Sequence, residues 1–178
     1  EFPQARRLTP LREITRTEDP VFPIFRIRIS DNHKHAGEAD MKSIDPKEHP
    51  VAFVHRLLLS GVAPRPIALV STLDREGYYN LSPFSFFNAF GANPPVIVVS
   101  PAYRGKDGTP KHSFENIRDT KEFTVSAVSY DMVEQISLAS SDYERGADEF
   151  IQAGFTKLPS RIVAPPGVAE SPFVMECR

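Results

Sequence analysis

The sequence has one cysteine, Cys177, so no internal disulfide framework is open to it, and a reducing, cytoplasmic setting is the expectation. It has no excess of positive charge: 21 basic against 23 acidic side chains give a net charge of −2. A nucleic-acid or anionic-membrane partner calls for a basic face, and none is visible. Basic and aromatic residues do not interleave either, which argues against a barrel that grips single strands. No apolar stretch approaches the roughly 20 residues that span a bilayer. The phosphate loop of Walker type, GxSxG, and GxGxxG after a strand are all missing. His33 and His35 stand two apart with nothing near them to complete a metal site.

What the chain does have is length enough for one sizeable core, 40% apolar residues and 17 prolines. Residues 1–40 mix seven acidic with seven basic side chains and neither repeat nor alternate for long. They read as a loosely ordered extension, with Ile27 and Ile29 alternating against Arg26 and Arg28 as one candidate edge strand. The domain proper then begins near Met41.

Beyond Met41 the pattern turns regular. Val51 to Leu59 suits a short amphipathic helix stopped by Gly61, and Ile67 to Thr72 is apolar enough for a strand buried on both faces. Asp74 to Gly77 is a turn, and Tyr78 to Ser82 returns antiparallel. Val96 to Ser100 and Glu122 to Ser129 give two further strands. Thr109-Pro110 predicts a helix start, Asp131 with Glu134 a capping box, and Tyr143 to Ala153 a helix ended by Gly154. Residues 155–172 are irregular, and Phe173 opens a last strand that runs to the end of the sequence.

The most unusual stretch is Asn80-Leu-Ser-Pro-Phe-Ser-Phe-Phe-Asn88, too apolar for an ordinary loop and too polar for a core strand. Pro83 lacks a backbone donor, so a ladder break is predicted there, freeing N–H groups for a flat, partly apolar ligand. A strand leading into a half-buried loop accounts for the same composition. Ser71 and Thr72 at a strand end, and Lys111-His112-Ser113 at a helix start, are the other binding-type groups. The helix start is the most physical of them, because free N–H groups, the dipole and a lysine together favour an anion such as phosphate. Solvated first-turn residues are the plainer reading.

Taken in order, Arg65-Pro-Ile-Ala-Leu-Val-Ser-Thr72, Gly77, the 80–88 stretch, Asn93-Pro-Pro95 and Lys111 to Asn116 resemble the flavin reductase-like family of FMN-binding split-barrel proteins. The resemblance runs from about Met41 to Arg178. It implies a mainly β fold with peripheral helices, an FMN-binding split β-barrel, which in these residues is cut short at its C-terminal end. It implies a homodimer with FMN near the subunit interface and NAD(P)H as electron donor. Ser71, Thr72, Asn80, Leu81, Ser82, Pro83, Phe84, Ser85 and Phe86 would then cradle the ring and ribityl chain, with Lys111, His112 and Ser113, and less strongly Arg104, near the phosphate. The resemblance assigns the chemistry to the flavin, so no catalytic side chain is nominated. The expected activity is that of an FMN-dependent NAD(P)H oxidoreductase acting on a small molecule, with a monooxygenase partner left unspecified. A flavin-binding or flavin-carrying module without catalysis is the alternative.

Overall fold

A computed structural model describes residues 27–30, 41–104 and 107–178. The candidate histidines His33 and His35, and most of the predicted extension, lie outside the described residues. The chain divides into two compact units, residues 1–58 and 59–178. In the first, β1 (Ile27–Ser30) pairs antiparallel with β2 (Met41–Ile44), so the alternation around Ile27 and Ile29 does make a strand. A 3-10 turn over Pro46–Glu48 follows, with Asp45 accepting from the Lys47 N–H at 3.0 Å. Helix α1 (Val51–Gly61) runs across the division and buries none of its residues.

The second unit is built on four antiparallel strands. They are β3 (Ala68–Leu73), β4 (Tyr79–Phe84), β7 (Phe123–Ala127) and β10 (Val174–Cys177), in spatial order β10-β7-β3-β4. Strand β3 is central and almost wholly buried, as its continuous apolar run requires. The β3–β4 turn closes on Gly77, whose φ of 92° is the left-handed conformation glycine tolerates. Asp74 Oδ1 fixes that turn by accepting from the N–H groups of Glu76 and Tyr78. A second hairpin, β5 (Phe87–Ala92) with β6 (Pro95–Val99), has an irregular register between Ala89 and Gly91. A two-residue pair, β8 (Lys157–Leu158) with β9 (Gly167–Val168), orders part of the proline-rich segment.

Strand alternation divides the core across this sheet. Leu69 and Leu81 pack with Met132, Phe150, Phe155 and Val168 on one face, beneath α3 (Val133–Ala139) and α4 (Glu149–Ala153). Ala68, Val70, Phe84 and Val125 pack on the other, against the β5–β6 hairpin and Ile117 of α2 (His112–Thr120). Thr124 and Ser126 form the more polar face of β7, yet both are fully buried. Thr124 Oγ1 donates to the Pro166 carbonyl at 2.8 Å, and Ser126 Oγ accepts from the Val168 N–H at 3.1 Å.

Four local expectations change. The ladder does not break at Pro83, which stands opposite Leu69 inside β4; the bend comes at Ser85 and Phe86. β4 is an edge strand of its sheet, and an edge position asks no donor of proline. Helix α2 starts at His112 rather than Pro110, with Lys111 in the cap position. The Asp131–Glu134 capping box does not form, because a 3-10 turn over Tyr130–Met132 leads directly into α3. The predicted 143–153 helix is confined to Glu149–Ala153, where the Asp148 carboxylate accepts from the Phe150 N–H and supplies the real cap.

Candidate functional site

Helix α2 is pinned to the sheet by two buried side-chain bonds. Asn80 Nδ2 of β4 donates to Ser113 Oγ at 2.9 Å, and Asn116 Nδ2 donates to Thr72 Oγ1 of β3 at 3.0 Å. These ties bring the start of α2 to the outer edge of β4. There a cleft of about 270 Å³ is lined by Asn80, Ser82, Lys111, His112 and Ser113, with Arg104 on its flank. The opposite wall consists of Ser140, Ser141, Asp142 and Tyr143, which follow α3, and of Glu149 at the start of α4.

The cleft sets two cations, Lys111 and Arg104, and two acids, Asp142 and Glu149, beside the start of α2. Lys111 offers no side-chain cap to α2, and its Nζ sits 5.3 Å from the centre of the Phe84 ring, a cation–π contact that orients the ammonium. Arg104 is held by Thr109 Oγ1 at 3.3 Å and by the Pro110 carbonyl, and its Nε lies 3.7 Å from the Asp142 carboxylate, which is mostly exposed. Partial burial, with the positive charges of Arg104 and Arg145, holds His112 below the usual imidazole range despite Glu115 and Asp142. The imidazole is therefore biased towards its neutral form.

Glu149 is the buried acid of the site. It is 6% exposed, and its Oε2 accepts from the Leu81 N–H at 3.2 Å. Desolvation pushes its carboxyl up, the neighbouring Asp148 charge adds to this, and bonds from its own N–H and that of Leu81 partly offset it.

Six of the sequence-predicted residues thus meet around one cleft: Asn80, Ser82, Arg104, Lys111, His112 and Ser113. The others sit elsewhere. Leu81 and Phe84 are buried in the two core clusters, and Pro83 is within β4. Thr72 lies under α2 through Asn116, while Ser71 is fully buried with an Oγ that has no hydrogen-bond partner. Ser71 alternates onto the face opposite Thr72, with Leu69. Ser85 accepts from Arg65 Nε at 3.4 Å, and Phe86 accepts through its carbonyl from the Ser100 N–H at 2.9 Å. Sequence reasoning missed the 140–143 wall and Glu149. The small polar run Ser140-Ser141-Asp142 behind a helix was the one available signal for the wall, since such runs mark loops and loops carry sites.

Among the described residues no group of three His, Cys, Asp or Glu side chains could hold a metal ion, and no helix is long and apolar enough to cross a membrane. Cys177 is half-buried and its thiol is pushed up to about 11 by burial, so it is a poor nucleophile.

Fold and site together define a small, mainly β domain carrying a polar cleft at a sheet edge. The family model described as "Flavin reductase like domain" matches residues 60–178, and the chain belongs to that family. Its fold is the split β-barrel with peripheral helices. The chain is 42% identical over 134 residues to an uncharacterised protein of Deinococcus radiodurans, covering 72% of this chain and 58% of that one. It is 38% identical over 125 residues to one of Aquifex aeolicus, covering 70% and 63%. Against those relatives it spans about three fifths of their length. Among solved structures it is similar to nitrilotriacetate monooxygenase component B from Bacillus cereus, with a TM-score of 0.73, 32% identity, and 79% and 68% of the two chains covered. It is also similar to 2-nitrobenzoate 2-nitroreductase of Pseudomonas fluorescens, with a TM-score of 0.64, 32% identity, and 76% and 64% covered.

Proposed function

We propose that this protein binds FMN with its phosphate end in the cleft at the start of α2, and works as an FMN-dependent NAD(P)H oxidoreductase of the flavin reductase type. The observation that carries the reading is the convergence of Lys111, Arg104 and an uncapped helix start with Asn80, Ser82 and Ser113 on one cleft. Those donors fit a phosphate followed by a polyhydroxy chain: two cations and the helix dipole take the charge, and the hydroxyl and amide groups take the alcohols. At about 270 Å³ the cleft is smaller than the 300 Å³ or more usual for a whole cofactor-sized ligand, so the ring system lies beyond it, along the 80–86 segment.

When bound, the flavin supplies the redox chemistry, accepting and passing on hydride or electrons. The protein's own part is positional. Lys111 and Arg104 hold the anionic end, and the Asn80–Ser113 bond keeps the floor of the cleft in register with α2. The 140–143 wall screens one side from water. The site then needs no side chain to act as obligatory acid or base.

The reading extends to a homodimer, supported by the β5–β6 hairpin, which leaves Phe90, Val96 and Val98 exposed. A monooxygenase partner is a further element of the proposal, by analogy with the name of the Bacillus cereus neighbour.

Titration with FMN, followed by quenching of flavin fluorescence, tests the binding; absence of saturable quenching sinks the proposal. Rapid mixing of the FMN-loaded protein with NADH and with NADPH tests the reaction. Bleaching by either marks a reductase, and bound flavin that neither nicotinamide bleaches marks a carrier.

A further inference from the structure

Resting on that reading, we infer that Glu149 takes up a proton as a phosphate-bearing ligand fills the cleft, and that it thereby sets how binding weakens with rising pH. Glu149 is a positioning residue in this role. It lines the same cleft as Lys111 and His112, is 6% exposed, and makes no ion pair among the described residues. Its hydrogen bond to the sheet is the one from the Leu81 N–H, which favours the carboxylate but which a neutral carboxyl or an amide oxygen can also accept.

The surrounding charges decide the sign. Within the cleft stand Arg104, Lys111, His112 and Asp142, and Arg104 faces the Asp142 carboxylate. Behind Glu149 a smaller cavity adds Asp74, Glu144 and Arg145, of which Arg145 is paired with Asp74 and with Glu115. On its own helix Asp148 is paired with Lys157. The cleft's cations are thus the charges an incoming phosphate engages. Once it does so they shield Glu149 less, and a like charge has arrived beside a buried carboxyl. Burial already favours the neutral form, and the phosphate favours it further. Ligand binding and proton uptake are then linked, and between the carboxyl's ligand-free and ligand-bound ionisation each pH unit weakens FMN binding by up to about tenfold, with no further loss once both forms are ionised.

A purely structural role, in which Glu149 only caps the edge of β4, moves none of this. Isothermal titration of FMN into wild type and Glu149→Gln, in buffers of different ionisation enthalpy between about pH 5 and about pH 8, counts the protons taken up. The expected result is greater uptake by the wild type and a flatter affinity profile for the variant. The contributions of His112 and of the phosphate itself are common to both proteins and cancel in the difference. Equal uptake with parallel profiles overturns the inference while leaving FMN binding intact; no FMN binding by the wild type removes the underlying reading as well. Should the variant not fold, NMR of wild-type protein carrying 13C in its glutamate carboxyls gives the answer. One carboxyl moving towards its protonated shift on adding FMN at constant pH supports the inference, and no such movement overturns it.

Discussion

Asn80 Nδ2 donates to Ser113 Oγ at 2.9 Å, and both side chains are buried, so the edge strand and the first turn of α2 are fastened at the floor of the cleft. Removing either partner leaves the other's buried polar atom without its hydrogen bond. Asn80→Ala is expected to cost about 1–3 kcal/mol of stability in chemical denaturation. It should also weaken FMN by about tenfold, as the helix start loses its register with β4. Native stability with unchanged affinity would show that the bond does not shape the site.

Lys111 is the cap residue of the helix, and its ammonium lies over Phe84 and makes no ion pair among the described residues. Lys111→Ala should weaken FMN by about tenfold or more, the scale of one charge-assisted hydrogen bond. Riboflavin, which lacks the phosphate, should bind the variant and the wild type alike. A salt titration adds a second check, since the variant's affinity should depend less on ionic strength. Equal losses for both ligands would move the phosphate elsewhere.

The two perturbed groups of the cleft pull stability in opposite directions with pH. His112 is depressed by burial and by Arg104 and Arg145, so the unfolded chain binds its proton first. Its contribution is complete above the unfolded imidazole value and is lost as pH falls through the folded one. Glu149 is raised by burial, so the unfolded chain ionises first, and its contribution is complete at low pH and is lost as pH rises through its folded value. Thermal melts without ligand should therefore show Glu149→Gln gaining on the wild type as pH rises above the normal carboxyl range. His112→Asn should gain as pH drops below about 6.5. A constant offset at every pH in either variant would contradict the assignment.

Gly167 in β9 lies against β10, where an added Cβ would meet Val174 Cγ1 at 2.6 Å. Valine is stiff at χ1, so the methyl cannot swing clear and the strands must part. Gly167→Ala is expected to cost about 1–3 kcal/mol, as overpacking does. Val174→Ala in the same chain should recover part of it, measured by denaturant midpoint. No loss in the single variant would mean that β9 and β10 are less closely seated.

The strands were legible because their signals are local. The apolar run at 67–72, the turn chemistry at Asp74 and Gly77, and the β-branched run at 96–99 each determine an element within a few residues. The charged helix start was equally open to reading, because Lys111-His112-Ser113 are consecutive. The caps were not: Asp131 and Glu134 have the right spacing, but Tyr130–Met132 takes the tighter 3-10 path into α3. Thr124 and Ser126 are polar residues in a buried strand, and nothing local signals it, because residues 166–168, some forty positions on, satisfy them. Glu149 was illegible for the same reason. Beside Asp148 it looks like a first-turn acid on an exposed helix, and only the distant Leu81 makes it a buried one.

The outer margin of β4 carries a consequence for assembly. Leu81 turns its N–H away from β3 and spends it on Glu149, and Pro83, the next residue facing outward, has none to give. A visiting strand therefore finds no run of donors on that side and cannot extend the sheet there. Of the sheet's two edge strands, β4 is thus the one closed to further pairing along its Leu81–Pro83 margin, the same margin that borders the cleft.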